Sequence, residues 1–199
     1  MTTLICIVEG EGEVQAVRSL LHKIIGWESY VDIPRPKNAN GRNNLIKEGG
    51  LEKFLQLAKT EPKCDGVLVL IDADEDCAAN LAKELAARAE KLRLPFPVAV
   101  VCAKCEYEAC FLASLETIRG SCDIPDDAKF EGNVEEIQGV KGWLTRQMPK
   151  GKIYRETHHQ VRMTELLDPT RVRMRSRSFR RLEHAIQELI NGEITVSPR

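Results

Sequence analysis

Three short apolar runs stand out along the first half of the chain, and each ends in acid. Residues 4–8 (LICIV), 67–71 (VLVLI) and 98–102 (VAVVC) are unbroken and rich in β-branched side chains. Runs of that length without alternation predict strands buried on both faces. Between them the apolar positions switch to helical spacing. Val14, Val17, Leu20, Leu21, Ile24 and Ile25 mark one helix, and Leu51, Phe54, Leu55 and Ala58 mark another within 45–60. Leu81, Leu85, Ala89 and Leu92 mark a third that stops before Pro95. Residues 28–33 predict an edge strand closed by Pro34 and Pro36, followed by a polar loop over 35–44. A further helix follows the third apolar run, through Leu115. Strand-helix alternation in this style implies right-handed crossovers and a parallel sheet, an α/β fold with flanking helices.

Beyond Gly120 the texture changes. A polar connector over 123–133 leads into helical patterns at 134–148 and 162–167. A final helix starts from Ser178 as N-cap and buries Phe179, Leu182, Ile186, Leu189 and Ile190. Residues 195–199 read as a frayed end. The organisation expected is an α/β domain over 1–120 and a basic helical extension over 121–199 on the same core.

The acids supply the candidate chemistry. The central run continues as Asp72-Ala73-Asp74-Glu75-Asp76, four carboxylates in five positions. Helix capping would account for one of them, not four. In an extended chain Asp72 and Asp74 point to one side, and like charges so close call for a cation or a proton. Glu9 and Glu13 follow the first run, and Glu106 and Glu108 the third. The carboxyl ends of parallel strands form the ligand crevice, so these acids should converge on one rim. Hard oxygen donors there favour Mg²⁺ or Mn²⁺, one or two ions.

Composition changes this picture in two respects. The chain of 199 residues has a net charge of −1, but 152–181 carries nine Lys or Arg against three acids. A cationic surface beside an acidic centre suits a polyanionic substrate. Seven cysteines, an odd number, and no basic leader before the first apolar run point to free thiols in a cytoplasmic setting, with no membrane span. Cys102-x-x-Cys105 could be read as a redox pair, and His158 and His159 as zinc ligands, but each lacks the rest of its pattern.

Glu9 in IVEGEGE and Asp72-Ala73-Asp74 in VLVLIDADED resemble the Toprim domain, the acidic Rossmannoid module of topoisomerases, primases and small nucleases. Glu106-Tyr107-Glu108-Ala109-Cys110-Phe111 and the stretch from Tyr154 to Leu189 resemble a group of small bacterial Toprim-like proteins. These are often encoded beside an AAA or ABC-type ATPase, in an arrangement that looks like phage defence and is similar to the overcoming-lysogenization-defect nucleases. Gly12 departs from the Thr or Ser common in the glutamate turn, and Cys110 from the expected aromatic residue.

The resemblance implies a metal-dependent nuclease acting on DNA or RNA. Asp72, Asp74 and Glu9 would be catalytic, and Glu9, Glu13, Asp72, Asp74, Asp76, Glu106 and Glu108 would form the pool of metal ligands. Lys104, Arg171, Arg173, Arg175, Arg177, Arg180 and Arg181 would hold the nucleic-acid backbone. Expected partners are nucleic acid, a neighbouring ATPase and further copies of the chain. The competing reading is a non-catalytic Toprim-shaped partner of an ATPase. A receiver-like phosphoacceptor at Asp72 wants a lysine after its last strand, which the chain does not place convincingly, and a sugar-nucleotide transferase wants a nucleotide-binding turn, which is not found in the sequence.

Overall fold

A computed structural model describes residues 1–26 and 29–192. Among these residues, β1 (Thr2–Val8), β4 (Gly66–Asp72) and β5 (Val98–Ala103) form the body of a parallel sheet ordered β2-β1-β4-β5. β1 and β4 are buried almost throughout, as two covered faces require. The outer edge at β1 is made of two fragments, β2 (Val31–Asp32) and β3 (Lys37–Asn38). Thr2 pairs with Val31 but Val8 with Asn38, so one extra residue sits between the fragments, where Pro34 and Pro36 interrupt the ladder. The edge strand expected at 28–33 is thus shorter and resumes inside the predicted loop; Glu28 lies outside the described residues.

One face of the sheet is covered by α1 (Glu11–Ile25) and α10 (Arg177–Asn191), the other by α3 (Gly50–Lys59) and α4 (Ala78–Glu90). Side chains alternate accordingly. Leu68, Leu70 and Val101 join the α1/α10 core, while Val67, Val69, Ile71 and Val100 join the α3/α4 core. The helix expected over 45–60 is broken into α2 (Arg42–Ile46) and α3, because Gly49 turns the chain at φ +72. Arg88 of α4 locks that break by donating to the carbonyls of Ile46 and Lys47 while pairing with Glu52.

After β5 come the short helices α5 (Ala109–Ala113) and α6 (Leu115–Ile118), and then a long irregular passage. The helix expected over 134–148 begins only at α7 (Val140–Gln147), where Gly139 holds φ +68. A π-helical turn (Glu156–Gln160) runs into α8 (Val161–Leu166), and α9 (Pro169–Arg175) into α10. The N-cap of α10 is Ser176, not Ser178: its hydroxyl accepts the Phe179 N–H at 3.0 Å. One hydrophobic cluster runs from Leu4 of β1 to Leu189 of α10, so the C-terminal helices share the core of the sheet. No described helix is long and apolar enough to cross a membrane.

Candidate carboxylate site

The first βα turn fixes two acids. Glu9 ends β1, and Glu13 lies in the first turn of α1, with its Oε2 accepting the Gly10 N–H at 2.9 Å. That bond satisfies one of the unpaired amides of a helix start. Glu9 Oε1 accepts the Asp72 N–H at 3.0 Å, tying β1's carboxyl end to that of β4. Asp72 is buried, and its Oδ1 accepts the Tyr107 N–H at 2.8 Å. Glu108, the next residue, is fully buried; its Oε1 accepts from the Tyr154 hydroxyl at 2.9 Å and the Gln160 amide at 3.2 Å. Four acids from three separated stretches therefore converge at the strand ends: Glu9, Glu13, Asp72 and Glu108.

Their protonation reflects that crowding. Burial pushes Glu9 up to about 7, helped by the charge of Asp74 and opposed by the Asp72 N–H, Arg42 and Lys141. Burial also pushes Glu13 up to about 8, with the charges of Glu9 and Glu108 adding to it. Asp72 is raised well above the carboxylate range by burial and by Glu13, Glu108 and Glu9. Burial raises Glu108 to about 7, with Lys141 opposing. Lys141 is the cation of this cluster. Its Nζ stands 3.7 Å from Glu108 Oε2 and 2.7 Å from Glu156 Oε1. Burial favours its neutral form but is outweighed by Glu108 and Glu156, and its pKa is raised.

The other expected ligands sit apart from this nest. Ala73 keeps the strand pairing through its N–H to Ala103, but Asp74 then turns left-handed at φ +48. An aspartate adopts that conformation more readily than most residues. The turn breaks the extended geometry assumed for Asp72-x-Asp74. Asp72 enters the interior, while Asp74 and Asp76 stay exposed and are both engaged by Arg42. Glu106 caps α7 by accepting the Lys141 N–H at 3.2 Å. Asp74, Asp76, Glu106 and Arg42 line a cleft of about 560 Å³ that opens beside the buried acids. Lys104 does not reach that cleft; it lines a separate groove at the outer edge of β5.

The C-terminal arginines are largely paired. Arg171 meets Glu116 and Asp168, Arg173 meets Glu183, Arg175 meets Glu116, and Arg181 meets Glu188. Arg180 donates to the Arg173 carbonyl, and Arg177 borders the β5 groove. All seven cysteines are free thiols, and burial pushes Cys102 up to about 12, against a redox role for Cys102 and Cys105. His159 stacks on Tyr154 and stands 3.9 Å from Asp123.

The family model for a domain of unknown function (DUF4276) matches residues 8–187. The chain belongs to that family. No curated protein and no solved structure matches it. The matched span takes in Glu9, Glu13, Asp72, Glu108 and Lys141.

Lys141, Tyr154 and Gln160 are the site residues that sequence reasoning missed. Lys141 lies 33 positions beyond Glu108 in a stretch without strand-end signals. The one available signal was Gly12. A Cβ there would fall 2.4 Å from Gln160 Oε1 and 2.8 Å from the Glu156 Cβ, so glycine lets the π-helical turn close against α1. Single π turns recur at functional sites, and this one delivers Gln160 to Glu108.

The donor set suits a hard divalent ion, since every candidate ligand is a carboxylate oxygen. Glu108 Oε2 supports that fit: it is buried and accepts no hydrogen bond, with only Lys141 Nζ near it, beyond hydrogen-bond reach. Against it, among the described residues no three His, Cys, Asp or Glu side chains are arranged to hold one ion. The acids are instead turned onto backbone N–H groups and the Tyr154 hydroxyl.

Proposed function

We propose that this chain is a metal-dependent nuclease that hydrolyses phosphodiester bonds of DNA or RNA. One observation carries the reading: four buried or half-buried carboxylates gather at the strand ends with one lysine beside Glu108, at a free-energy cost that a fold needing only stability has no reason to bear. Perturbed titratable groups beside a cleft mark a functional centre. Glu13, Asp72 and Glu108 would hold Mg²⁺ or Mn²⁺, with Asp74 at the cleft side. Such ions supply an activated water and neutralise charge on the departing oxygen.

The chain's own groups then divide the work. Glu9 has a pKa near 7 and its Oε1 fixed by the Asp72 N–H, which leaves Oε2 to take and return a proton near neutral pH. Lys141 holds positive charge beside Glu108 and Glu156, where it offsets charge building on a phosphate. Arg42 keeps Asp74 and Asp76 in place at the cleft mouth.

The setting proposed with this activity is an ATPase-coupled anti-phage system, as the Toprim-like resemblance implies. A second reading, a non-catalytic partner of the ATPase, draws support from the backbone-bound orientation of the carboxylates. Both are tested by incubating the purified protein, with and without the ATPase encoded beside it, on plasmid DNA and RNA with Mg²⁺ or Mn²⁺. Cleavage that vanishes in Asp72→Asn, with the fold intact by circular dichroism, is the expected result. Identical products from the two proteins would end the nuclease reading.

A further inference from the structure

The far edge of the sheet is left open in a way that prescribes its occupant. Pro97 and Ala103 accept from Val67 and Ala73 of β4, each at 2.9 Å, so the odd-numbered residues of β5 turn their backbone polar groups inward. Parallel pairing then points the N–H and C=O of Val98, Val100 and Cys102 outward. Among the described residues, none of these groups has a hydrogen-bond partner, although Val100 and Cys102 are only 6% and 5% exposed. They form the floor of a groove of about 520 Å³. Unpaired, apolar strand edges are ordinarily charged, kinked or covered.

The groove walls have a matching symmetry. On one side α4 contributes Ala78, Ala82 and Ala86, a row one turn apart with no side chain beyond a methyl. On the other, α10 contributes Arg177 near its start and Glu188 near its end, the latter held by Arg181 of the same helix at 3.1 Å. α10 runs opposite to β5. Its Leu189 packs against Gly66 at the start of β4, and its first turn is tied to Glu135, whose carbonyl meets the Cys105 thiol just past the end of β5.

We propose that the groove is filled by a second copy of this chain, with the two β5 strands paired antiparallel about a two-fold axis through Val100. Three outward residues centred on Val100 are self-complementary: Val98 meets Cys102 of the other copy, and Val100 meets itself. The same axis sets Ala82 against Ala82 and Ala78 against Ala86, which lets the α4 helices close to about 8 Å. It also brings Arg177 of each copy toward the Arg181–Glu188 pair of the other. Such an interface is isologous and closed. The carboxylate clefts then lie at opposite ends of one continuous sheet, so this inference does not depend on the nuclease reading.

Sedimentation velocity on the full chain tests it. A mass of about 45 kDa, twice the 22.4 kDa of one chain, is expected, falling to the monomer in Ala82→Glu, which puts two carboxylates on the axis. In Val98→Cys, oxidised glutathione should yield a disulfide-linked dimer joined through position 98 and Cys102, because residues paired this way stand about 5.5 Å apart at Cα. A monomeric wild type would overturn the proposal, leaving the groove to residues 193–199 or to another protein's strand. So would a dimer that survives Ala82→Glu and gives no link at Cys102.

Discussion

Two regions of this chain look equally charged in sequence and are opposite in structure. At the strand ends, Glu9, Glu13, Asp72 and Glu108 are drawn out of water around one lysine, and each is pushed toward its neutral form. On α9 and α10, the arginines at 171, 173, 175 and 181 stay at the surface, and each stands beside a carboxylate. Surface pairs of that kind contribute little and cost little. Buried like charges cost much and persist only when something else uses them. The functional signal is therefore the uncompensated cluster rather than the larger count of charges.

The sharpest way to break this contrast is Asp72→Asn. It keeps the shape and the acceptor for the Tyr107 N–H while removing a charge from the cluster. Metal-dependent cleavage should fall by at least about 10–100-fold, the loss that follows even when a group supporting a metal ligand is removed. Arg171→Ala, in the paired region, should stay within a few-fold of wild type. Equal losses in both would erase the distinction.

The next effect is on stability and has a definite sign. Glu9, Glu13 and Glu108 titrate near 4.5 when unfolded, but at about 7, 8 and 7 when folded. Their folded pKa values are raised, so the stability they allow is complete below pH 4.5 and is lost as pH rises through 7 to 8. Metal-free protein should melt at progressively lower temperature across that window. Mg²⁺ should reverse the trend, since it binds the ionised form. Glu13→Gln should flatten the metal-free slope and leave the protein more stable than wild type at pH 8, read by thermal melts. A metal-free melting curve insensitive to pH between 5 and 8 would put the buried cluster in doubt.

How much of this was legible follows from how local each signal is. The strands at 4–8, 67–71 and 98–102 and the helix spacings that separate them depend on near neighbours, and they place β1, β4, β5, α1 and α4 correctly. Glu9, Glu13, Asp72 and Glu108 were found because strand ends of a parallel sheet must share a rim. Asp74, Asp76 and Glu106 were grouped with them because nothing in the sequence shows the left-handed turn at Asp74, or that Glu106 would cap α7. Lys141, Tyr154 and Gln160 arrive from a region whose path is set by tertiary packing rather than periodicity. Arg88 is a similar case: its charge reads as a solvated helix face, yet it holds the α2–α3 break.

Gly12 links the readable and unreadable halves, and it supplies the next prediction. Gly12→Ala inserts a methyl that must displace Gln160 or Glu156. The cost should be about 1–3 kcal/mol, the usual range for overpacking, measured by denaturant unfolding. Because Gln160 bonds Glu108, activity should drop with it even at temperatures where the variant is folded. A fully active Gly12→Ala protein would mean that the π-helical turn is scaffold alone.

The smallest expected effect tests the other side of the contrast. Arg171 is half exposed, with Glu116 at 3.6 Å and Asp168 at 3.7 Å, so its charge is already answered locally. Removing it should change stability by no more than about 1 kcal/mol. For nucleic acid the argument is stricter. A cation that grips phosphate releases counterions, and its loss lowers the slope of log affinity against log salt by about one. Arg171 would first have to leave two carboxylates, which cancels most of that release. Arg171→Ala should therefore leave the salt slope of DNA or RNA binding unchanged. A drop near one would show that the pairs open on binding, and would return α9 to the phosphate-contacting surface its sequence suggested.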